Sequence, residues 1–257
     1  MCIFLFSGHN RKFWSLPGIL EIEMAQPEKT ISEIIAERRS TPRFGPEPVK
    51  EDDLRQILTA GIESPSGYNL QPWRFVVVRD PEQRRKLRFA SHNQPKIEQA
   101  PLVIVALGDT EGWREGDLDE MIRIGSEHGY AHPSKSGDTR QLIYDYLSRH
   151  ENLSMWLDRQ VMIALTTMML MAEALGYDTA LMEGFDEQQV REAVEAPPRM
   201  HVVCLLAVGH CEGEDKRYGG RFPAERLVFG ERFGASLKLT AEIPRRGEKR
   251  SSLRVST

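Results

Sequence analysis

Residues 160–172 carry no charged side chain, and apolar residues fall on nearly every face of a helix drawn through them. A bilayer span needs about 20 such residues, so this run is too short to cross a membrane and reads as a buried helix. A helix that is apolar all round must be covered on all sides. That requirement dictates the rest of the architecture: the helix, expected over residues 156–176, sits at the centre, and other elements pack round it. Met162, Met168, Met169 and Met171 are simple core filler on such a helix. The chain's 257 residues are enough to build a core of that size. A second copy of the chain is the simplest cover for any face that one domain leaves bare.

The elements available to cover it are of both kinds. Residues 30–39 read as a helix, with Thr30 or Ser32 as cap and Ile31, Ile34 and Ile35 as its apolar face. Residues 50–61 read as a second, with Leu54, Ile57 and Leu58 at helical spacing and Gly61 as its stop. Residues 81–90 and 187–195 read as two more. The β-branched run at 74–79 and the apolar runs at 101–107, 178–182 and 202–208 read as strands. Residues 109–150 are polar and show no clean period. Strands and helices alternate too unevenly for a doubly wound parallel sheet, so the fold class is α+β.

A net charge of −4 gives no basic signature of nucleic-acid binding. The three cysteines, Cys2, Cys204 and Cys211, form no C-x-x-C pair and no disulfide framework, which points to a reducing compartment, the cytoplasm. The N-terminal apolar run is short, and its basic residues follow it, the wrong order for a signal peptide. Residues 1–23 are therefore expected to be a disordered tail ahead of a domain over 24–237, and residues 238–257 a basic tail. His128 and His132 have the spacing of a zinc-binding helix, but Gly129 and Pro133 argue against such a helix, and no metal is expected.

Five segments could carry chemistry, each with a plainer alternative. Arg38, Arg39, Ser40 and Arg43 offer planar forks and a hydroxyl suited to phosphate, or form a solvated basic helix end. In residues 64–73, Pro65, Ser66 and Gly67 would let a ligand approach the backbone, and Asn69 and Gln71 would meet a heterocycle edge; the same residues suit an ordinary turn. Asn93 and Lys96 pair an amide with a cation, or lie in a surface loop. Glu183 and Gly184 follow a strand, where the glycine presents a bare N–H or Asp186 simply caps the next helix. Arg221 leaves a Gly-Gly turn, in which an exposed arginine is the default.

Their order along the chain is more telling than any one of them. Arg-Arg-Ser at 38–40, Ser-Pro-Ser-Gly-Tyr-Asn-Leu-Gln-Pro-Trp-Arg-Phe at 64–75, Ala-Leu-Gly closing the apolar helix, Glu-Gly-Phe-Asp at 183–186 and Arg-Phe-Pro at 221–223 together resemble the nitroreductase family over about residues 30–233. The resemblance implies an α+β fold with a central mixed, mostly antiparallel sheet flanked by helices. It also implies an intertwined homodimer with one FMN in each of two interface sites. Arg38, Arg39, Ser40 and Arg221 match positions that hold the phosphate and ribityl chain, with Arg43 close by. Pro65, Ser66, Gly67, Asn69 and Gln71 match the loop that reaches the flavin across the dimer interface. Asn93 and Lys96 match contacts to the pyrimidine side of the ring, and Glu183 and Gly184 the turn facing N5 and O4. Pro42 and Gly219 depart from the basic residues that many relatives carry there.

The implied reaction is ping-pong hydride transfer from NADH or NADPH to a small organic acceptor of the nitroaromatic, quinone or enone type. The flavin carries the chemistry, with no catalytic side chain, no metal, no nucleic acid and no membrane. Residues 109–156, with Trp113, Tyr130, Tyr144, Tyr146 and Trp156, would form a variable cover that selects the acceptor, or those aromatics only pack. A flavin carrier or sensor, or a specialised flavin enzyme on the same fold, is the alternative function.

Overall fold

Four strands, each with few or no charges, pair into one antiparallel sheet, and helices close over both of its faces. In this computed structural model the described residues are 29–130, 136–213 and 218–238, with the backbone of two short strands further upstream. In chain order the elements are β1 (Phe13–Trp14), β2 (Ile22–Glu23), α1 (Ile31–Glu37), α2 (Glu51–Ile62), β3 (Trp73–Val78), α3 (Pro81–Ala90), α4 (Pro95–Gln99) and β4 (Leu102–Asp109). There follow α5 (Asp117–Glu127), α6 (Ser136–Ser148), α7 (Leu153–Ala174), β5 (Asp178–Met182), α8 (Glu187–Ala193), β6 (Met200–Gly209) and α9 (Ala224–Leu227). The chain divides into two units, Met1–Lys216 and Arg217–Thr257.

The main sheet has the order β3-β4-β6-β5, and every neighbouring pair is antiparallel. Among the described residues the parallel element of the expected mixed sheet is a one-residue bridge between Ser40 and Thr179. All eight residues of β4 are buried, because each face meets a different core. Leu102, Ile104 and Ala106 face a core shared with Leu54 and Ile57 of α2 and Val161, Leu165 and Met168 of α7. Val103, Val105 and Leu107 face Leu87 of α3, Ile97 of α4 and Val190 of α8. The two-residue period of a strand thus sorts one apolar run into two cores.

α7 begins three residues earlier than the sequence predicts, capped by the Asn152 side chain, which accepts from the N–H of Met155. Gly61 is not the stop of α2 but a contact point: a Cβ there would lie 2.8 Å from Met168 Cγ, so its absence lets α2 and α7 approach. A Cβ at Gly108 would likewise lie 2.9 Å from Leu157 Cβ, which seats α7 on the sheet. Within one chain α7 is central and covered on most sides, and a bare face remains. Trp156, Leu157, Val161, Ala164, Leu165, Met168 and Ala172 are buried, but Met155 and Ile163 stay exposed within one chain.

α1 is capped as predicted. The Thr30 side chain accepts from Glu33 N–H, and the Glu33 carboxylate accepts from Thr30 N–H in a reciprocal capping box. Its predicted apolar face is only partly covered within one chain: Ile34 is buried, whereas Ile31 and Ile35 are each 59% exposed. Residues 109–150, which show no clean period, nevertheless contain α5 and α6. Only a few of their residues face inward, so the apolar signal is thin. Leu118, Ile143 and Leu147 build a third core with Leu70, Trp113, Trp156 and Leu157.

Within the expected N-terminal tail, Phe13–Trp14 pair antiparallel with Ile22–Glu23; the remainder of 1–23, and residues 239–257, lie outside the described residues. His132 is also outside them, and among the described residues no cluster of His, Cys, Asp or Glu could hold a metal. No described helix is long and apolar enough to cross a membrane. The second unit holds α9 and a Phe229–Ser236 bridge, with Phe229 and Phe233 rings 4.7 Å apart.

Candidate functional site

Two of the predicted groups lie at opposite ends of one strand. After α1 the chain runs beside the free edge of β5: Ser40 bridges Thr179, and Thr41 N–H donates to Thr179 O at 3.0 Å. Phe44 then bridges Cys211, which fixes the far end of the segment. Ser40 is exposed, and Arg38 stands half-buried at the C-cap of α1. Arg39 already serves the helix end, since its Nη1 donates to Ala36 O (2.8 Å) and Arg38 O (2.6 Å). Arg43 turns away to lie over Gly213, its Nη2 2.9 Å from where a Cβ would stand.

β5 ends at Met182, and Glu183 and Gly184 emerge exposed. Four residues of strand, about 13 Å, separate this turn from the Ser40 bridge. The loop before α4 comes to meet it. His92 and Asn93 take positive φ values of 52° and 59°, which swings the chain out of α3. The Gln94 side chain then donates to Gly184 O at 2.8 Å. Asn93, Lys96, Glu183 and Gly184 are thereby gathered at one end of the edge strand. Asp186 caps α8, accepting from Gln189 N–H, so the plainer reading of that residue holds.

The 64–71 loop is elsewhere. It leads into β3 at the opposite edge of the sheet, three strand spacings or about 14 Å from β5. One chain does not bring it to the other two groups. The loop is held in a costly backbone shape: Tyr68, Asn69 and Gln71 have φ of 56°, 56° and 47°. Gly67 N–H donates to Gln160 Oε1 at 2.7 Å, and Gln71 N–H donates to Ser66 Oγ at 3.0 Å. Leu70 is buried, while Pro65, Tyr68 and Asn69 are exposed. Gly67 packs on the Trp156 ring, 3.0 Å from the position of a Cβ.

The aromatic residues of 109–156 divide. Trp113 and Trp156 are core residues, so they pack. Tyr146 is partly exposed and meets the Tyr68 ring edge-on at 5.5 Å, so it borders the exposed side of the 64–71 loop while Trp156 backs its buried side. Arg221, in the second unit, is exposed and donates to Gly220 O at 2.6 Å, its guanidinium 5.6 Å from the Tyr218 ring. Sequence reasoning missed Gln160 and Gln94, which hold the 64–71 loop and the 183–184 turn. Gln160 was signalled by being the one polar amide at the head of an uncharged run.

The sequence profile of the nitroreductase family matches residues 35–210, a span that takes in the 38–43, 64–71, 93–96 and 183–184 groups. The chain belongs to the nitroreductase family. Among curated relatives of this nitroreductase-family chain, "NADH dehydrogenase" of Thermus thermophilus is 36% identical over 198 residues, which covers 75% of this chain and 91% of that one. A solved structure from Exiguobacterium sibiricum, described as a nitroreductase in complex with FMN, superposes with a TM-score of 0.70 at 24% identity, covering 81% of this chain and 100% of that one. CLA-ER, described as an enone reductase of gut-bacterial fatty acid saturation, gives a TM-score of 0.70 at 21% identity over 80% of this chain and 100% of that one. Both likenesses are of fold.

Proposed function

We propose that this chain is an FMN-dependent oxidoreductase that takes electrons from NAD(P)H, passes them to a small organic acceptor of the nitroaromatic, quinone or enone type, and works as a homodimer in a reducing compartment. The observation that carries the reading is β5. An arginine–hydroxyl group stands beside its start, and an amide, a cation and a bare glycine stand at its end. That donor set suits a long ligand with a phosphate at one end and a heterocycle at the other. The Thermus relative's name and the FMN in the Exiguobacterium structure support the same reading.

The remaining group argues for two chains. The 64–71 loop is a full sheet width from β5, and a second copy is the simplest way to bring one such loop to one such strand. Exposed Ile31, Ile35, Met155 and Ile163 supply apolar surface for that copy to cover.

Arg38 and Ser40 would hold the phosphate. Asn93 and Lys96 would border the pyrimidine side of the ring, where the Lys96 ammonium favours the charge that a reduced ring carries. The strained 64–71 loop would present backbone and amide groups along the ring face, and Gly184 would leave its own N–H open to it. α5 and α6 would cover the acceptor and exclude water. The flavin, when bound, supplies hydride exchange, so no side chain of this chain need act as acid or base.

The test is direct. Purified protein should be yellow and release FMN on heating, and NADH or NADPH should bleach it without oxygen. Extracted FAD, or no flavin after reconstitution, would refute the cofactor. Bound FMN that neither nucleotide bleaches would favour a carrier or sensor.

A further inference from the structure

Five charged side chains meet where the sheet gives way to the cover. Arg74 leaves β3 three residues after Gln71. Its Nη1 donates to Trp73 O at 2.9 Å and Gln71 O at 3.4 Å, and its Nη2 lies 2.5 Å from Asp117 Oδ2 on the first turn of α5. The same Nη2 lies 3.5 Å from Asp109 Oδ2, at the end of β4. Asp109 is buried and folds the chain back, its Oδ1 accepting from Glu111 N–H (3.1 Å) and Gly112 N–H (2.9 Å). From the other side Arg199 approaches Asp109 Oδ1 at 3.5 Å and contacts the Glu115 carboxylate. The root of the cover, 109–117, is clamped between two arginines, one in β3 and one just before β6.

Arg74 differs from Arg199 in touching both sides of the site at once. One arm grips the ring-facing loop through the Gln71 carbonyl, and the other grips α5. One turn further along α5, Met121 Sδ lies 3.3 Å from Gln71 Nε2. We propose that Arg74 is a positioning residue: it ties α5 to the 64–71 loop and thereby sets how large an acceptor the site admits. The proposal rests on the functional reading above. It does not make Arg74 essential to folding, because Trp113 and Leu118 bury the same segment in the third core whether or not the ion pair forms.

The pair is strong enough to bias the cover and too weak to hold it alone. Arg74 and Asp117 side chains are 39% and 37% exposed, so water and salt screen them. Half-exposed pairs contribute about 0.2–1 kcal/mol, which is roughly a 1.4- to fivefold shift in how often α5 leaves the loop. Shifts of that size change discrimination between acceptors without abolishing turnover.

The experiment compares Arg74→Gln, Asp117→Asn, the double variant and Arg74→Lys with wild type, all as holoprotein. The readouts are kcat and KM with a one-ring benzoquinone and a two-ring naphthoquinone, and hydrogen exchange in 117–127. In either charge-removing variant, the ratio of kcat/KM for the two-ring over the one-ring acceptor should rise about two- to fivefold, and α5 should exchange faster by a similar factor. The double variant should match the singles rather than their product, and Arg74→Lys should keep a ratio near wild type. An unchanged ratio in Arg74→Gln, or fully multiplicative effects in the double variant, would overturn the proposal. Flavin absorbance of the wild type reads the functional assignment separately. Unchanged α5 exchange in Arg74→Gln overturns the clamp whatever the flavin content.

Discussion

Replacing Gln160 with methionine isolates the bond that holds the 64–71 loop. Methionine is unbranched and of similar size, so α7 should keep its packing. The Gly67 N–H loses its acceptor, now 2.7 Å away, in a part-buried position. An amide left unpaired in that setting costs about 1–3 kcal/mol. The loop has little slack with which to absorb this, since three residues already sit at positive φ. Left-handed backbone costs roughly 1–2 kcal/mol per ordinary residue, less for asparagine, and persists only where surrounding contacts over-determine it. With the Gln160 bond gone, the Ser66–Gln71 bond and buried Leu70 remain, and the loop should sample relaxed shapes. FMN affinity should therefore fall about tenfold, the equivalent of roughly 1.4 kcal/mol, and urea should unfold the protein with a loss of about 1–3 kcal/mol. Isothermal titration of apoprotein with FMN and a parallel urea series measure both. A Gln160→Met protein with wild-type affinity and a stability loss below about 0.5 kcal/mol would show the bond to be idle.

Gly108→Ala should destabilise by about 1–3 kcal/mol in thermal unfolding, because the new methyl meets Leu157 Cβ rather than a movable side-chain end; a neutral outcome would mean α7 slides freely on β4. Arg38→Ala should weaken FMN binding by about tenfold or more, while Arg55→Ala, exposed on α2, should not; equal effects would leave Arg38 as mere surface charge. Burial pushes the Cys204 thiol up from 9.0 to about 12, while in the unfolded chain it ionises near the ordinary value. The raised native value means stability is full below pH 9 and drains away between about 9 and 12, by at most about 1.4 kcal/mol per unit. Denaturation curves across that range should be flatter for Cys204→Ala, and an identical slope would contradict the buried, protonated thiol.

What could be read from the sequence follows the strength of local signals. The four strands announced themselves because each is short, uncharged or nearly so, and bounded by turn residues; 178–182 matches the observed strand to the residue. The start of α1 was legible to within two residues, Thr30 or Ser32, and the reciprocal Glu33 three residues on decides for Thr30. α5 and α6 were not, since their few inward residues are satisfied by Trp113 and Trp156, contacts that no local window contains. Gly61 misled for a related reason: its meaning lies in Met168, more than a hundred residues away. At the candidate site, motif order picked out the 64–71, 93–96 and 183–184 segments, but the side chains that hold them, Gln160, Gln94 and Arg74, lie outside the motifs or inside them as unremarked spacers. Ile31 and Ile35 show the limit of periodicity: it tells which face is apolar and not which chain covers it.

The pairing of β4 with β6 has a consequence for how the protein is made. About ninety residues separate the end of β4 from the start of β6, yet the two lie side by side at the middle of the sheet. At a synthesis rate of about 5–20 residues per second, a nascent chain waits roughly 5–18 s after β4 leaves the ribosome before its neighbour exists. During that interval a strand apolar but for its terminal Asp109 has one paired edge and one bare edge, the template that invites association with other chains. The cover and α7 are translated in this gap, so α7 is available to cover one face of β4 before β6 exists to pair its edge. Variants that slow the packing of α7 onto β4 should lower soluble yield in a cell more than they lower the stability of whatever protein does fold.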